Sequence, residues 1–142
     1  MLQSIFIVDD DPITVEICEF VIRKTKFGNK ITHFANGQKC IHFFSTYFEK
    51  KNHDENIQIP ELIFLDLNMP VMDGWQFLED YTNKYSNRLP NTKIAILTSS
   101  INPQDFMKAQ EYNVVIEFIH KPLIAELVEE MKQHNELQAH FS

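Results

Sequence analysis

Three aspartates, a threonine and a lysine carry the chemistry open to this chain. Asp9 and Asp10 follow the apolar run Ser4 to Val8, and Asp66 follows Leu62 to Leu65. Thr98 follows Lys93 to Leu97, and Lys121 comes just after Val114 to Ile119. Carboxylates gathered in one place repel and raise each other's pKa values, so either one takes a proton or a cation neutralises the group. Oxygen ligands with no nearby His or Cys favour a hard ion such as Mg²⁺. A site holding that ion, one lysine and one hydroxyl suits a phosphoryl group. The metal and Lys121 would neutralise its oxygens, and Thr98 would donate a hydrogen bond. An aspartate in such a site can act as nucleophile and form an acyl phosphate.

These residues need elements that bring them together. The run Leu62 to Leu65 is too short for a helix and lacks polar alternation, which suits a strand covered on both faces. Pro70 has no amide hydrogen for a ladder, so the strand stops before it. Strands are expected over Ser4 to Val8, Ile31 to Phe34, Leu62 to Leu65, Lys93 to Leu97 and within Val114 to Ile119. Helical spacing follows each one. Asp11-Pro12 reads as a cap and first helical position, followed by a stripe of Ile13, Ile17, Phe20 and Val21 to about Thr25. Gly28-Asn29 reads as a turn, and Asn36-Gly37 as a turn or cap before a helix marked by Cys40, Ile41, Phe44, Tyr47 and Phe48. Asp73-Gly74 reads as a helix start leading to Phe77, Leu78 and Tyr81. Asn102-Pro103 repeats the cap-plus-proline start, Asp105 suits the positive helix end, and Phe106 and Ala109 are expected to face inward. Leu123, Leu127, Val128 and Met131 form a last stripe, and the polar end 134–142 is expected to fray.

Five strands alternating with five helices imply an α/β fold with right-handed crossovers and a parallel sheet between two helical layers. In the flavodoxin-like order 2-1-3-4-5 the first and third strands are neighbours, and a cleft opens at their carboxyl ends. Asp9, Asp10 and Asp66 would then converge there. The expected domain spans residues 1–133, with 134–142 as a polar tail. A net charge of −7 with no basic patch argues against nucleic-acid binding. No apolar stretch has membrane-spanning length and the first ten residues lack a signal-peptide pattern, which points to the cytoplasm. Cys18 and Cys40 fall on apolar helix stripes and read as buried free thiols. Residues 49–58 read as an exposed polar loop, with His53, Asp54 and Glu55 solvated rather than gathered on a metal. His120 should point to the opposite face from Lys121, and Trp75 to the cleft rim.

Four pieces, IFIVDDDP, LIFLDLNMPVMDG, ILTSS and FIHKPL, resemble in order and spacing the receiver domain of two-component response regulators, over nearly the whole chain. The resemblance implies that Asp66 accepts a phosphoryl group. It implies that Asp10 and Asp66 bind Mg²⁺ by side chain, Asn68 by its backbone carbonyl and Asp9 through water. Thr98 and Lys121 would contact the phosphoryl group, and the peptide before Pro122 would be cis. Phe118 matches the aromatic switch position. Asn68 and Ser100 match positions that tune acyl-phosphate hydrolysis. Two departures stand out: Phe118 replaces a tyrosine, and Tyr112-Asn113 stands where glycine is common before the fifth strand. Asn tolerates a left-handed turn.

The resemblance implies a single-domain, bacterial regulator similar to the chemotaxis type. It would take its phosphoryl group from a sensor histidine kinase or histidine phosphotransfer protein. Its output would be protein contact through the face of helix 4, strand 5 and helix 5, as a monomer or weak dimer. It would catalyse only its own phosphorylation and dephosphorylation. A phosphohydrolase with an aspartyl-phosphate intermediate is disfavoured, since Asp66-Leu67-Asn68 has no second aspartate as acid/base. The complete Asp9, Asp10, Asp66, Thr98 and Lys121 set argues against an inert scaffold. A flavodoxin would need a phosphate loop rich in Ser, Thr and Gly after the first strand.

Overall fold

The structure, a computed structural model, describes residues 1–49 and 58–142. Within them the apolar runs become strands β1 (Leu2–Val8), β2 (Gly28–Phe34), β3 (Leu62–Leu65), β4 (Lys93–Thr98) and β5 (Val115–His120). The helices are α1 (Pro12–Lys24), α2 (Gly37–Glu49), α3 (Gly74–Lys84), α4 (Pro103–Ala109) and α5 (Ala125–Met131). All strand pairs are parallel, in the order β2-β1-β3-β4-β5, the flavodoxin-like arrangement. Period-two alternation divides the core. Ile5 and Ile7 face one layer with Cys18, Ile22 and Val128, while Phe6 and Val8 face the other with Phe44, Phe77 and Tyr81. The aromatic face of α2 is core, as its spacing predicts: Phe44 is fully buried, 5.3 Å from the Tyr81 ring and 5.7 Å from Tyr85.

Caps fall where the sequence puts them. The Asp11 carboxylate accepts from the Ile13 amide at 3.0 Å, with Pro12 in the first turn of α1. Asp73 and Gln76 form a reciprocal capping box at the start of α3. Asn102 accepts from the Gln104 amide at the start of α4. Both cysteines are buried free thiols, and burial pushes the Cys18 thiol up to about 12 and that of Cys40 well above its usual range.

Several expectations are corrected. Gly28 opens β2 rather than a turn; the turn lies earlier, at Lys26, whose φ is 55°. There the Phe27 amide donates to the Ile22 carbonyl and the Lys26 amide to that of Arg23, a Schellman closure with lysine in the left-handed position. Gly28 answers to packing instead, since a Cβ would lie 2.3 Å from Ile5 Cδ1. The stripe of α1 is also rotated. Ile13 and Phe20 are 67% and 65% exposed and Ile17 is exposed, while Val15, Cys18, Val21 and Ile22 are buried. Both sets satisfy helical spacing, and packing against Ile5, Ile7, Val128 and Met131 selects the buried one. Phe106 is exposed and only Ala109 of α4 is buried, because a seven-residue helix lays one short edge on the sheet. The end of the chain is packed, not frayed. Leu137 is buried in the α1/α5 core, and Phe141 stacks on Phe27 with centroids 5.4 Å apart. Most of the polar segment 49–58, including His53, Asp54 and Glu55, lies outside the described residues.

Candidate functional site

Strand register builds the site. Val8 pairs with Phe34 on one side and Leu65 on the other, so Asp9 and Asp66 leave adjacent strands at one level. The ladder continues one rung into both: Asp9 N–H donates to Phe34 O, and Asp66 N–H donates to Val8 O, each at 3.0 Å. Across the sheet, Lys121 N–H donates to Thr98 O at 2.8 Å. All these residues therefore share the carboxyl edge of the sheet.

One carboxylate oxygen each from Asp9, Asp10 and Asp66 lies within 4.8 Å of the others. Asp9 and Asp66 are buried and Asp10 is exposed at the mouth. Lys121 Nζ reaches over them, 2.9 Å from Asp9 Oδ2 and 3.6 Å from Asp66 Oδ2. The other Asp9 oxygen accepts from the Asp11 amide at 2.9 Å, and Asp66 Oδ1 accepts from the Asn68 amide at 3.4 Å. Thr98 is fully buried, and its Oγ1 accepts from the Ser100 amide at 3.1 Å. That bond uses a lone pair and leaves the hydroxyl hydrogen for another acceptor. The Ser100 hydroxyl is engaged with the start of α4, donating to Asp105 and accepting from the Asn102 amide. The Lys121–Pro122 peptide is cis, as expected.

Burial, and then the charge of Asp9, push the Asp66 carboxyl up from 3.8 to about 6, with Lys121 opposing. Burial draws Lys121 down, but the hydrogen bond and charge of Asp9, with Asp66 and Asp11, outweigh it and hold the ammonium above its usual range. Three carboxylates face one ammonium in a pocket where two of them are buried, so acidic groups are in excess. Such an imbalance is costly without a counterion. The donor set, oxygen only and richer in carboxylates than in ammonium groups, fits a hard divalent cation.

The loop after β3 is tightly held. Gly74 N–H donates to Leu67 O at 3.0 Å, and a Cβ on Gly74 would lie 2.5 Å from Asp66 O. The first turn of α3 thus presses directly on the peptide that carries Asp66. Val71 in the same loop has a φ of 72°, a left-handed conformation that strains a β-branched residue. Phe118 is half-buried, edge-on to the exposed Phe106 ring at 5.5 Å. Trp75 is half-buried, stacked on Tyr112 at 6.4 Å with Lys108 Nζ 4.4 Å from its ring. Asp11 and Asp73 serve as caps, and His120 is exposed, all outside the cluster. One contact has no counterpart in the sequence reading: His33 Nε2 lies 2.8 Å from the Asp9 backbone carbonyl. Only its place one residue before the end of β2 hinted at it.

The family model of the response regulator receiver domain matches residues 5–132. Response regulator Rcp1 of Synechocystis sp. is 26% identical over 112 residues, covering 79% of this chain and 72% of that protein. The probable methanogenesis regulatory protein FilR2 of Methanothrix harundinacea is 25% identical over 134 residues, covering 92% of this chain and 81% of that protein. Among solved structures, a two-component response regulator from Cytophaga hutchinsonii superposes with a TM-score of 0.80 at 23% identity, covering 93% of this chain and 95% of that one. With its carboxylate cluster and lysine at the sheet edge that such a fold uses for ligands, the chain belongs to the response regulator receiver domain family of two-component signalling.

Proposed function

We propose that this receiver is a phosphorylation-controlled switch whose acceptor is Asp66. The observation that carries the reading is the meeting of the Asp9, Asp10 and Asp66 oxygens within 4.8 Å under the Lys121 ammonium. The donor is a phosphohistidine on a sensor histidine kinase or a histidine phosphotransfer protein. An Asp66 oxygen attacks phosphorus, a P–O bond forms, the P–N bond breaks, and its electron pair returns to the histidine ring. Asp10, Asp66, the Asn68 carbonyl and, through water, Asp9 would hold a Mg²⁺, which would supply charge neutralisation for the phosphoryl oxygens. Lys121 pairs with one of those oxygens, and the Thr98 hydroxyl donates to another. The domain catalyses only this modification and its hydrolysis, whose rate Asn68 and Ser100 tune by their places beside the pocket.

Output runs through the face of α4, β5 and α5. Capture of Thr98 by the phosphoryl group draws the loop after β4 inward, and Phe118 follows it. A ligand shifts such an equilibrium only through differential contacts with its two states, and Thr98 and Lys121 supply them here. Ile101, Phe106, Met107 and Ile124 leave apolar surface at this face for a protein partner. The net charge of −7 disfavours nucleic acid as that partner. Among the described residues no helix is long and apolar enough to cross a membrane, and the switch acts in the cytoplasm as a monomer or weak dimer.

Intact mass after treatment with acetyl phosphate tests the assignment. The expected result is a phosphoryl adduct that requires Mg²⁺ and is absent in Asp66→Asn. No adduct on wild type with Mg²⁺ present, or an undiminished adduct on Asp66→Asn, overturns it.

A further inference from the structure

The carbonyl of Asp9 stands just past the last backbone rung between β1 and β2. Asp9 N–H is the final β1 donor to β2, meeting Phe34 O at 3.0 Å, and β2 ends at Phe34. The Asp9 carbonyl takes its hydrogen from a side chain instead, His33 Nε2 at 2.8 Å. A carbonyl only accepts, so Nε2 carries the hydrogen in this contact. The imidazole thereby extends the ladder by one rung that the backbone of β2 does not supply.

That rung falls on the peptide joining two members of the acidic cluster. The Asp9 carbonyl lies in one rigid plane with the Asp10 amide and Cα. Holding the carbonyl therefore sets the direction in which Asp10 leaves the strand. The Asp9 carboxylate is held separately, by the Asp11 amide and by Lys121. Asp10 is the exposed member of the cluster, so its placement depends most on the backbone beneath it.

We propose that His33 is a positioning residue for the cation site, fixing the Asp9–Asp10 peptide so that the Asp10 carboxylate meets those of Asp9 and Asp66. This rests on the reading of the cluster as a Mg²⁺ site. His33 touches no reacting atom and acts through the peptide alone. Its side chain is otherwise exposed, so its replacement leaves the core intact. Outer-shell partners of metal ligands typically contribute 10- to 100-fold in affinity, and a partner acting through the backbone belongs at the low end, about tenfold.

The test is the rise in Tm with Mg²⁺ concentration, followed by calorimetry at pH 8 for wild type, His33→Ala, His33→Phe and His33→Gln. Mg²⁺ that binds the folded state stabilises it by RT ln(1 + [Mg²⁺]/Kd), so the dependence of Tm on Mg²⁺ concentration yields Kd without any activity assay. We expect His33→Ala and His33→Phe to weaken Mg²⁺ about tenfold. His33→Gln, which keeps an N–H donor of similar reach, should restore Kd to within about twofold of wild type. An unchanged Kd in His33→Ala overturns the positioning role while leaving the cation site standing. Equal weakening in all three variants also overturns it, because the effect would not follow the donor. A wild type whose Tm ignores Mg²⁺ overturns the cation site, and the role of His33 with it.

Discussion

Asp66 occupies a place that disfavours its own charge. Its carboxyl rises from 3.8 to about 6, through burial first and Asp9 second. In the unfolded chain it titrates near 3.8, so between about pH 4 and 6 the metal-free folded state binds more protons than the unfolded one. Its contribution to stability is thus fully present below about pH 4 and is lost as pH rises through about 6. Asp66→Asn removes that titration. Urea unfolding in EDTA should show the variant gaining on wild type from pH 4 upward, reaching an advantage of about 1–3 kcal/mol at pH 7.5. A flat difference across that range would contradict the account. Mg²⁺ competes with the same proton, so its binding to wild type should weaken as pH falls below about 6.

At the scale of elements, two turns are expected to respond in opposite directions to small substitutions. Gly74→Ala drives a Cβ to 2.5 Å from Asp66 O and 2.7 Å from Leu67 Cα, both backbone atoms with no rotamer to yield. The start of α3 must shift, at a cost of about 1–3 kcal/mol in thermal unfolding, and Asp66 shifts with it. The adduct rate with acetyl phosphate should fall in Gly74→Ala at saturating Mg²⁺. Lys26 holds the left-handed position of the closure after α1 at a φ of 55°. Lys26→Gly removes the Cβ penalty there, and denaturant titration should show a gain of about 0.5–1 kcal/mol. The misplaced turn at Gly28 has the same origin. Glycine before a strand reads as a turn signal, but here the closure uses lysine and the glycine answers to contact with Ile5. Local propensity carries no information about which side chain arrives from another strand.

At the scale of the molecule, the end of the chain joins the fold. Leu137 is buried with Phe27, and Phe141 stacks on Phe27. Lys132 Nζ donates to Thr25 O at 2.6 Å, and His140 Nδ1 lies 3.0 Å from a Glu61 carboxylate oxygen. Leu137→Ala should lower stability by about 2–4 kcal/mol in urea unfolding while leaving the Mg²⁺-dependent adduct intact, since this packing lies away from the carboxyl edge. An effect under 0.5 kcal/mol would show the segment to be only loosely seated. The polar composition of 134–142 conceals two apolar anchors, Leu137 and Phe141. Sparse anchors carry no period, and only the open surface beside Phe27 gives them a place.

Strand positions, caps at Asp11, Asp73 and Asn102, the sheet class and the set Asp9, Asp10, Asp66, Thr98 and Lys121 were legible in the amino-acid sequence. Each depends on local rules: an apolar run that must be covered, a cap that must accept an amide, a polar residue where a strand stops. Which stripe of α1 is buried, how far α4 stands off the sheet and where the last residues pack were decided by the tertiary structure. So was the contact of His33 with Asp9, made across 24 residues by the pairing of β1 with β2. Periodicity gives a helix two admissible phases, and a strand-end side chain several admissible partners. Only packing in three dimensions removes the alternatives, because the competing contacts are local in space and not along the chain.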